Sequence, residues 1–373
     1  MRFLSAAATG VLALAATPAF AVNGTLLTAY GTKAQGMGGA SIALPQDAIA
    51  AANNPAGMSE VGDRVDVDVQ CLQVTSKATF LGNDQEGDIF ACLPEAGYNR
   101  QITPKLTLGI STFSSGAGFD YDENIFPVPR NDSTGTFFAS VAVLPTATYK
   151  VTDRLAVGVS LAGGVQAVRI SNFADVPNRG RRFAFGFGFS GGVLWKPTDY
   201  LSLGATYSSK IRFSKLKGYA DDVLAPSNGQ VDVPERYGVG AALFPTPKLK
   251  IAADLEHINW SDTQFGSLFG FRDQDVYRLG ASYDVSPKWT VRGGTSLARN
   301  HIASDVVIPN ILFVGINSKA VSLGATRKFG DGNEINFGVE KDFGSKLNGT
   351  GPSAGASLDT TMYIFSLGWG RRF

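Results

Sequence analysis

The chain carries little charge, few histidines and cysteines, and no long apolar run in its body. Lys and Arg number 33 against 32 Asp and Glu in 373 residues, and the net charge of +1 gives no electrostatic reason to expect nucleic acid. The two histidines, His257 and His301, lie far apart and show no metal-like spacing, so no metal, cofactor or enzyme activity is expected. Beyond Val22 nothing approaches the roughly 20 apolar residues that a membrane helix requires. The body is therefore either soluble or a barrel.

Only Cys71 and Cys92 could form a disulfide. If the strands around them fold into a hairpin centred near Leu81 and Gly82, the two lie opposite each other. A cross-strand disulfide and a pair of free thiols both remain open at this stage.

What the chain does have is a leader and a rhythm. Residues 1–21 combine Arg2, an apolar run and the small-x-small sequence Ala19, Phe20, Ala21, the pattern of a cleaved signal peptide. From Arg64 onward, alternating apolar and small or polar residues run between tight turns such as "KVTDRL", "KPTDYL" and "DVSPKW", with longer polar loops after every second run. Fourteen such runs can be placed: 64–75, 88–100, 105–116, 136–149, 155–169, 183–196, 201–213, 233–244, 249–260, 274–285, 289–300, 319–329, 334–343 and 359–372. The fold class expected is all-β, a 14-stranded antiparallel transmembrane β-barrel.

Lipid is favoured over a soluble sandwich for three reasons. Short turns alternate with long loops, and Tyr149, Trp195, Trp260, Trp289 and Trp369 fall near strand ends, where an interfacial girdle would lie. The faces opposite the apolar ones carry Arg212, Asp254, Glu256, Arg278, Asp284, Arg292, Glu340 and Asp342, too many charges for a dry core. In "LSLGATYSSKIRF", the expected apolar face includes Ile211 and Phe213. The last strand ends on Phe373, as an outer-membrane assembly signal does. His257 falls on the lipid-facing alternation, and His301 begins an outer loop without an evident orienting carboxylate. The glycines of "GMGGAS" lack the preceding strand and βαβ unit of a phosphate-binding loop.

"QDAIAAANNPAGM", residues 46–58, reads as a short helix and turn ahead of the strands. With its surroundings, "GTKAQGMGGASIALPQDAIAAANNPAGMSEVGDR", it resembles the N-terminal region of the FadL family, outer-membrane channels for long-chain fatty acids and other hydrophobic compounds. The matching residues are Gly36, Gly38, Gly39, Asp47, Asn54, Pro55 and Ala56. The similarity continues through "VPERYGVGAALFPTPKLKIAADLEHINWSD", "YRLGASYDVSPKWTVRGGTSLARN", "KAVSLGATRKF" and the final strand.

The resemblance implies an organisation of signal peptide 1–21, a helical hatch (plug) inside the lumen at 22–62, and an outer-membrane barrel at 63–373. It implies passive uptake of hydrophobic molecules, long-chain fatty acids first and aromatic or alkane hydrocarbons as the alternative, with release sideways through the wall beside the third strand. Gly109, Ser111, Phe113 and Gly116 are the candidates for that opening, with Phe113 facing inward. Phe119, Tyr121, Ile125 and Phe126, with Val128, are the candidates for capture on the outer loop. The expected partners are the hydrophobic molecules themselves, outer-membrane lipids and lipopolysaccharide, and the assembly machinery through Phe373. A monomer is expected. A general diffusion porin for polar solutes and a purely structural barrel are the rival classes.

Overall fold

The computed structural model describes residues 23–127, 133–173, 176, 178–316 and 318–373. The expected leader and Val128 lie outside the described residues. Fifteen strands follow in order: β1 Arg64–Phe80, β2 Asn83–Gln101, β3 Leu106–Asp120, β4 Gly135–Thr152, β5 Leu155–Ser171, β6 Arg182–Thr198, β7 Leu201–Ser208, β8 Arg212–Phe213, β9 Glu235–Thr246, β10 Leu249–Asn259, β11 Gln274–Ser286, β12 Trp289–Ala298, β13 Lys319–Lys328, β14 Asn333–Asn348 and β15 Ala356–Arg372. Neighbours pair antiparallel, and β15 returns to β1, so the sheet closes on itself. β7 and β8 both pair with β6 and are two pieces of one stave. The wall therefore has fourteen staves, and closure removes the sheet edges that lipid would not tolerate.

Alternation explains which way each stave faces. On β6, Phe183, Phe185, Phe187 and Phe189 are exposed outward while Ala184 is fully buried. The break between β7 and β8 reverses this phase. Ser208 pairs with Ser190 but Arg212 pairs with Phe187, which puts one extra residue on the β7–β8 side. A bulge of one residue turns every later side chain to the other face. Ile211 and Phe213 consequently point inward and Arg212 outward, the opposite of the sequence expectation.

The two ends of the barrel differ. Two-residue turns join β4 to β5, β6 to β7, β9 to β10 and β11 to β12 at the end that also holds Phe373, whereas residues 121–127, 133–134, 214–234, 260–273 and 299–316 cover the other. Short periplasmic turns and long outer loops set the orientation. Trp260 belongs to this outer cover and not to the girdle. It is fully buried, its Nε1 donates to Gln274 Oε1 at 3.0 Å, and it packs on Phe265 and Phe271. An indole can be buried this way because its one donor finds an acceptor.

Ahead of β1, residues 23–62 are almost all buried and thread the lumen. This segment contains a helical turn at Thr32–Gln35, 3-10 turns at Ala50–Ala52 and Pro55–Gly57, and a helical turn at Met58–Val61. The alanine run makes a 3-10 turn and no longer helix. Asn54, extended at φ −155° ahead of Pro55, caps the next turn by accepting the Ala56 N–H on Oδ1 at 3.0 Å.

Candidate functional site

The inner segment is seated by two features of the wall. The first is a set of inward carboxylates that accept its backbone N–H groups: Asp68 from Thr32 at 2.6 Å, Glu95 from Gly31 at 2.8 Å, Asp66 from Ala48 at 2.8 Å, and Asp254 from both Ser41 and Ile42 at 2.6 and 2.9 Å. Short turns leave backbone donors without partners of their own, and these acids supply them. The charges read as lining a watery lumen are thus, in large part, bound to protein. Glu256 is likewise taken by Arg278 at 2.6 Å, and Glu334 by Lys33 and Arg64.

The second feature is the absence of side chains where the two layers touch. A Cβ on Gly280 or Gly294 would fall 2.1 or 2.2 Å from Met37, and one on Gly204 would fall 2.5 Å from the Ile42 carbonyl oxygen. Of the motif residues, Gly36 lies on Gly324, Gly38 adopts φ +65° against Thr295, and Gly39 abuts Arg278. Asp47 accepts the Ile49 N–H, and burial, followed by the nearby charge of Asp66, pushes its carboxyl up to about 6. Asn54 Nδ2 donates to Ile42 O at 2.8 Å and to Val193 O on β6 at 3.1 Å, and the Pro55 carbonyl accepts from Thr148 at 2.6 Å. Ala56 is fully buried.

The wall itself is interrupted between β2 and β3. Their ladder runs only from Gln101↔Thr107 to Gly97↔Ser111, although β3 pairs with β4 from Leu106 through Asp120. Pro94 has no N–H to offer β3, and its carbonyl is taken by the Ser114 hydroxyl at 2.6 Å. The Ala96 N–H turns to Thr112 Oγ1 at 2.9 Å. Higher up, β3 bends to the inner segment, with Gly116 N donating to Thr25 O at 3.0 Å. The chains meet again at Asp122 N and Glu86 O, 2.9 Å apart and in unchanged register. On its other side β2 stays paired to β1 throughout, with Cys71 directly opposite Cys92 and joined to it by a disulfide.

A cavity of about 180 Å³ lies at this interruption. Leu26 and Leu27 of the inner segment, Val74, Met362 and Ile364 line it from the lumen. Cys92, Phe137 and Ala139 belong to the outward alternation of their strands, so the cavity extends through the wall. It does so over Gly116 and Gly118, which pair with Ala139 and Phe137 and place no side chain in the way. Val314 and Gly315 of the outer cover complete it, and no lining residue is charged.

Only Gly116 among the four residues expected at the opening lines this cavity. Gly109 is in the intact ladder opposite Asn99, against Met58. Ser111 belongs to the last ladder pair. Phe113 faces inward and packs on Tyr30 at 4.8 Å, beside a different and much smaller hollow. Pro94, Leu26, Leu27 and Phe137 were not singled out from the sequence. The signal for Pro94 was available, because proline inside a strand marks an unpaired edge.

The outer-loop candidates do not form an exposed landing surface. Phe119, Tyr121, Ile125 and Phe126 are all buried, with the Tyr121 hydroxyl donating to Ile311 O at 2.7 Å and Phe126 packed on Phe80 and Phe173. Their apolar area is satisfied by folding the loop into the barrel mouth. His301 is buried there too, between Trp260 and Phe271, and burial lowers its pKa to about 3. His257 lies on the outer face, bonded to Asp275 at 2.7 Å. Among the described residues no group of three or more His, Cys, Asp or Glu is placed to hold a metal.

The profile of a family described as outer membrane protein transport protein (OMPP1/FadL/TodX) matches residues 10–362. No curated protein sequence matches the chain significantly. Among solved structures, a Pseudomonas aeruginosa FadL homologue superposes with a TM-score of 0.74 at 19% identity, covering 95% of this chain and 100% of that one. The Pseudomonas putida toluene transporter TodX gives 0.73 at 18% over 96% and 100%, and the Ralstonia pickettii toluene transporter TbuX gives 0.68 at 18% over 93% and 99%. At such identities the likeness to these structures is one of fold.

Proposed function

The chain belongs to the outer membrane protein transport family (OMPP1/FadL/TodX), whose members are channels for hydrophobic compounds, and from that premise we propose that it takes up small neutral hydrocarbons and releases them sideways between β2 and β3. The observation that carries this reading is the uncharged cavity of about 180 Å³ extending through the wall over Gly116 and Gly118.

Size and chemistry both favour a neutral guest. An apolar protein cavity of about 150 Å³ is enough to hold benzene. A fatty acid with about fifteen methylenes would gain about 12 kcal/mol from leaving water, but it needs more room and a partner for its carboxylate. This ranks long-chain fatty acids behind one-ring or short-chain hydrocarbons, the class in which TodX and TbuX, named as toluene transporters, also fall. Lateral release suits such a guest, because it passes from an apolar cavity to acyl chains without crossing water or a polar headgroup layer.

The inner segment fits the role of a hatch. It is held by hydrogen bonds to wall carboxylates and by close contact with wall glycines, which leaves the lumen occupied and disfavours a porin for polar solutes. Toluene and palmitate uptake, compared between the unmodified protein and Gly118→Leu, tests the proposal. Toluene uptake is expected to exceed that of palmitate and to fall in the variant. Equal toluene uptake by a correctly folded variant would refute it.

A further inference from the structure

Around the outer rim, Lys77, Arg169, Lys210 and Arg272 each face a carboxylate. One sector departs from this. Arg181, Arg182, Arg212, Lys215 and Lys217 are all exposed, and among the described residues none has an ion-pair partner. The fold gathers them. Arg212 pairs with Phe187 across β6 and β8, Ser214 N donates to Phe185 O at 2.8 Å, and a Cβ on Gly218 would lie 3.2 Å from Arg182 Nε.

Directly below this patch runs the outward stripe of β6, with Phe183, Phe185, Phe187 and Phe189 exposed by 62%, 63%, 77% and 55%. Cations above an aromatic stripe match the layering of a membrane interface, with rings among the acyl chains and cations at the height of the headgroups. The patch also adjoins the exit. The Arg181 guanidinium sits 4.3 Å from the centre of the Phe137 ring, and Phe137 lines the cavity.

We propose that this patch is a docking site for the phosphorylated headgroup of an outer-leaflet glycolipid. A phosphate monoester carries close to two negative charges and accepts strongly from several donors, and guanidinium groups suit its geometry. Its acyl chains would lie along the phenylalanine stripe. The site would keep an ordered lipid beside the opening and give the emerging hydrocarbon an apolar surface to enter. It goes beyond the transport reading and does not depend on which molecule is carried.

Binding of diphosphoryl lipid A to the purified, delipidated full chain, followed by native mass spectrometry, tests it. Each cation beside an anionic headgroup contributes about a factor of five, so Arg181→Gln, Arg182→Gln, Lys215→Gln and Lys217→Gln together should weaken binding by about six hundredfold. Arg181→Lys with Arg182→Lys should retain most of it. If the fourfold variant does not fold, Lys215→Gln with Lys217→Gln, both outside the strands, should still cost about twenty-five-fold. Equal binding by a folded Gln variant and the unmodified protein, or equal binding of fully dephosphorylated lipid A, would overturn the proposal. No hydrocarbon is present in the measurement, so a failed transport reading leaves its result intact.

Discussion

Pro94 on β2 accepts the Ser114 hydroxyl of β3 through its carbonyl oxygen at 2.6 Å, just above the level where the two strands cease to pair. A side chain here takes the place of a ladder bond that proline cannot complete. Pro94→Val restores the missing N–H and a β-branched side chain, so the ladder should extend upward and narrow the opening. Stability should rise by about 1 kcal/mol and hydrocarbon uptake should fall several-fold. A more stable protein with undiminished uptake would show that the exit lies elsewhere.

Gly280 and Gly294 face each other on β11 and β12, and Met37 occupies the space their side chains would need. Gly294→Val should displace the inner segment at a cost of about 1–3 kcal/mol and produce a steady ionic current in planar bilayers. Gly163→Val provides the control, since its nearest neighbour is a ring atom at 4.0 Å. Current in neither variant, with both folded, would argue against the inner segment as the closure.

Asp254 accepts two N–H groups, from Ser41 and Ile42. Asp254→Leu orphans both, and each unsatisfied buried donor costs about 1–3 kcal/mol. Detachment of residues 38–43 should appear as faster hydrogen exchange there, while the β10 ladder stays protected. Unchanged exchange at Ser41 and Ile42 would mean that the carboxylate contributes nothing to the seat.

His301 gives the outer cover a pH dependence whose sign follows from its burial. Its folded pKa of about 3 lies below the ordinary 6.5, so the unfolded or opened chain binds the proton more readily. Stability of the cover is therefore complete above pH 6.5 and declines as pH falls toward 3, with a loss of about 2 kcal/mol by pH 5. Hydrogen exchange over residues 299–316, corrected for its intrinsic pH dependence, should accelerate about thirtyfold at pH 5 relative to pH 7.5. His301→Leu should remove that acceleration, and an identical response in both proteins would contradict the assignment.

Much of the wall was readable from the sequence because a strand declares itself locally. Turn residues bound each run and a period of two assigns its faces, so fourteen staves could be counted from residues that never touch in sequence. The reading failed where one residue changed the phase. "SSK" at 208–210 carries no mark of the extra residue that turns Ile211 and Phe213 inward, because a bulge is defined against the partner strand. Trp260 was misassigned for a related reason: a tryptophan at a strand end suits an interface equally well until the loop beyond it folds back and buries it.

By itself, the sequence determined a closed antiparallel barrel, its outward apolar faces and a small-residue segment at its entrance, all of which follow from local periodicity and turn chemistry. The tertiary structure alone decided what the inward residues do. Asp254 looked like the lining of a wet lumen and instead holds the backbone N–H groups of Ser41 and Ile42, while Asp68 and Glu95, unmarked in the sequence, hold those of Thr32 and Gly31. Gly116, expected near an opening, and Gly118, which no local signal marked, both line the cavity beside a broken ladder, whereas Gly109 sits in intact pairing. The physical reason is the same in each case: a carboxylate or a missing side chain acquires its role from the group that faces it, and those groups lie far away in the chain.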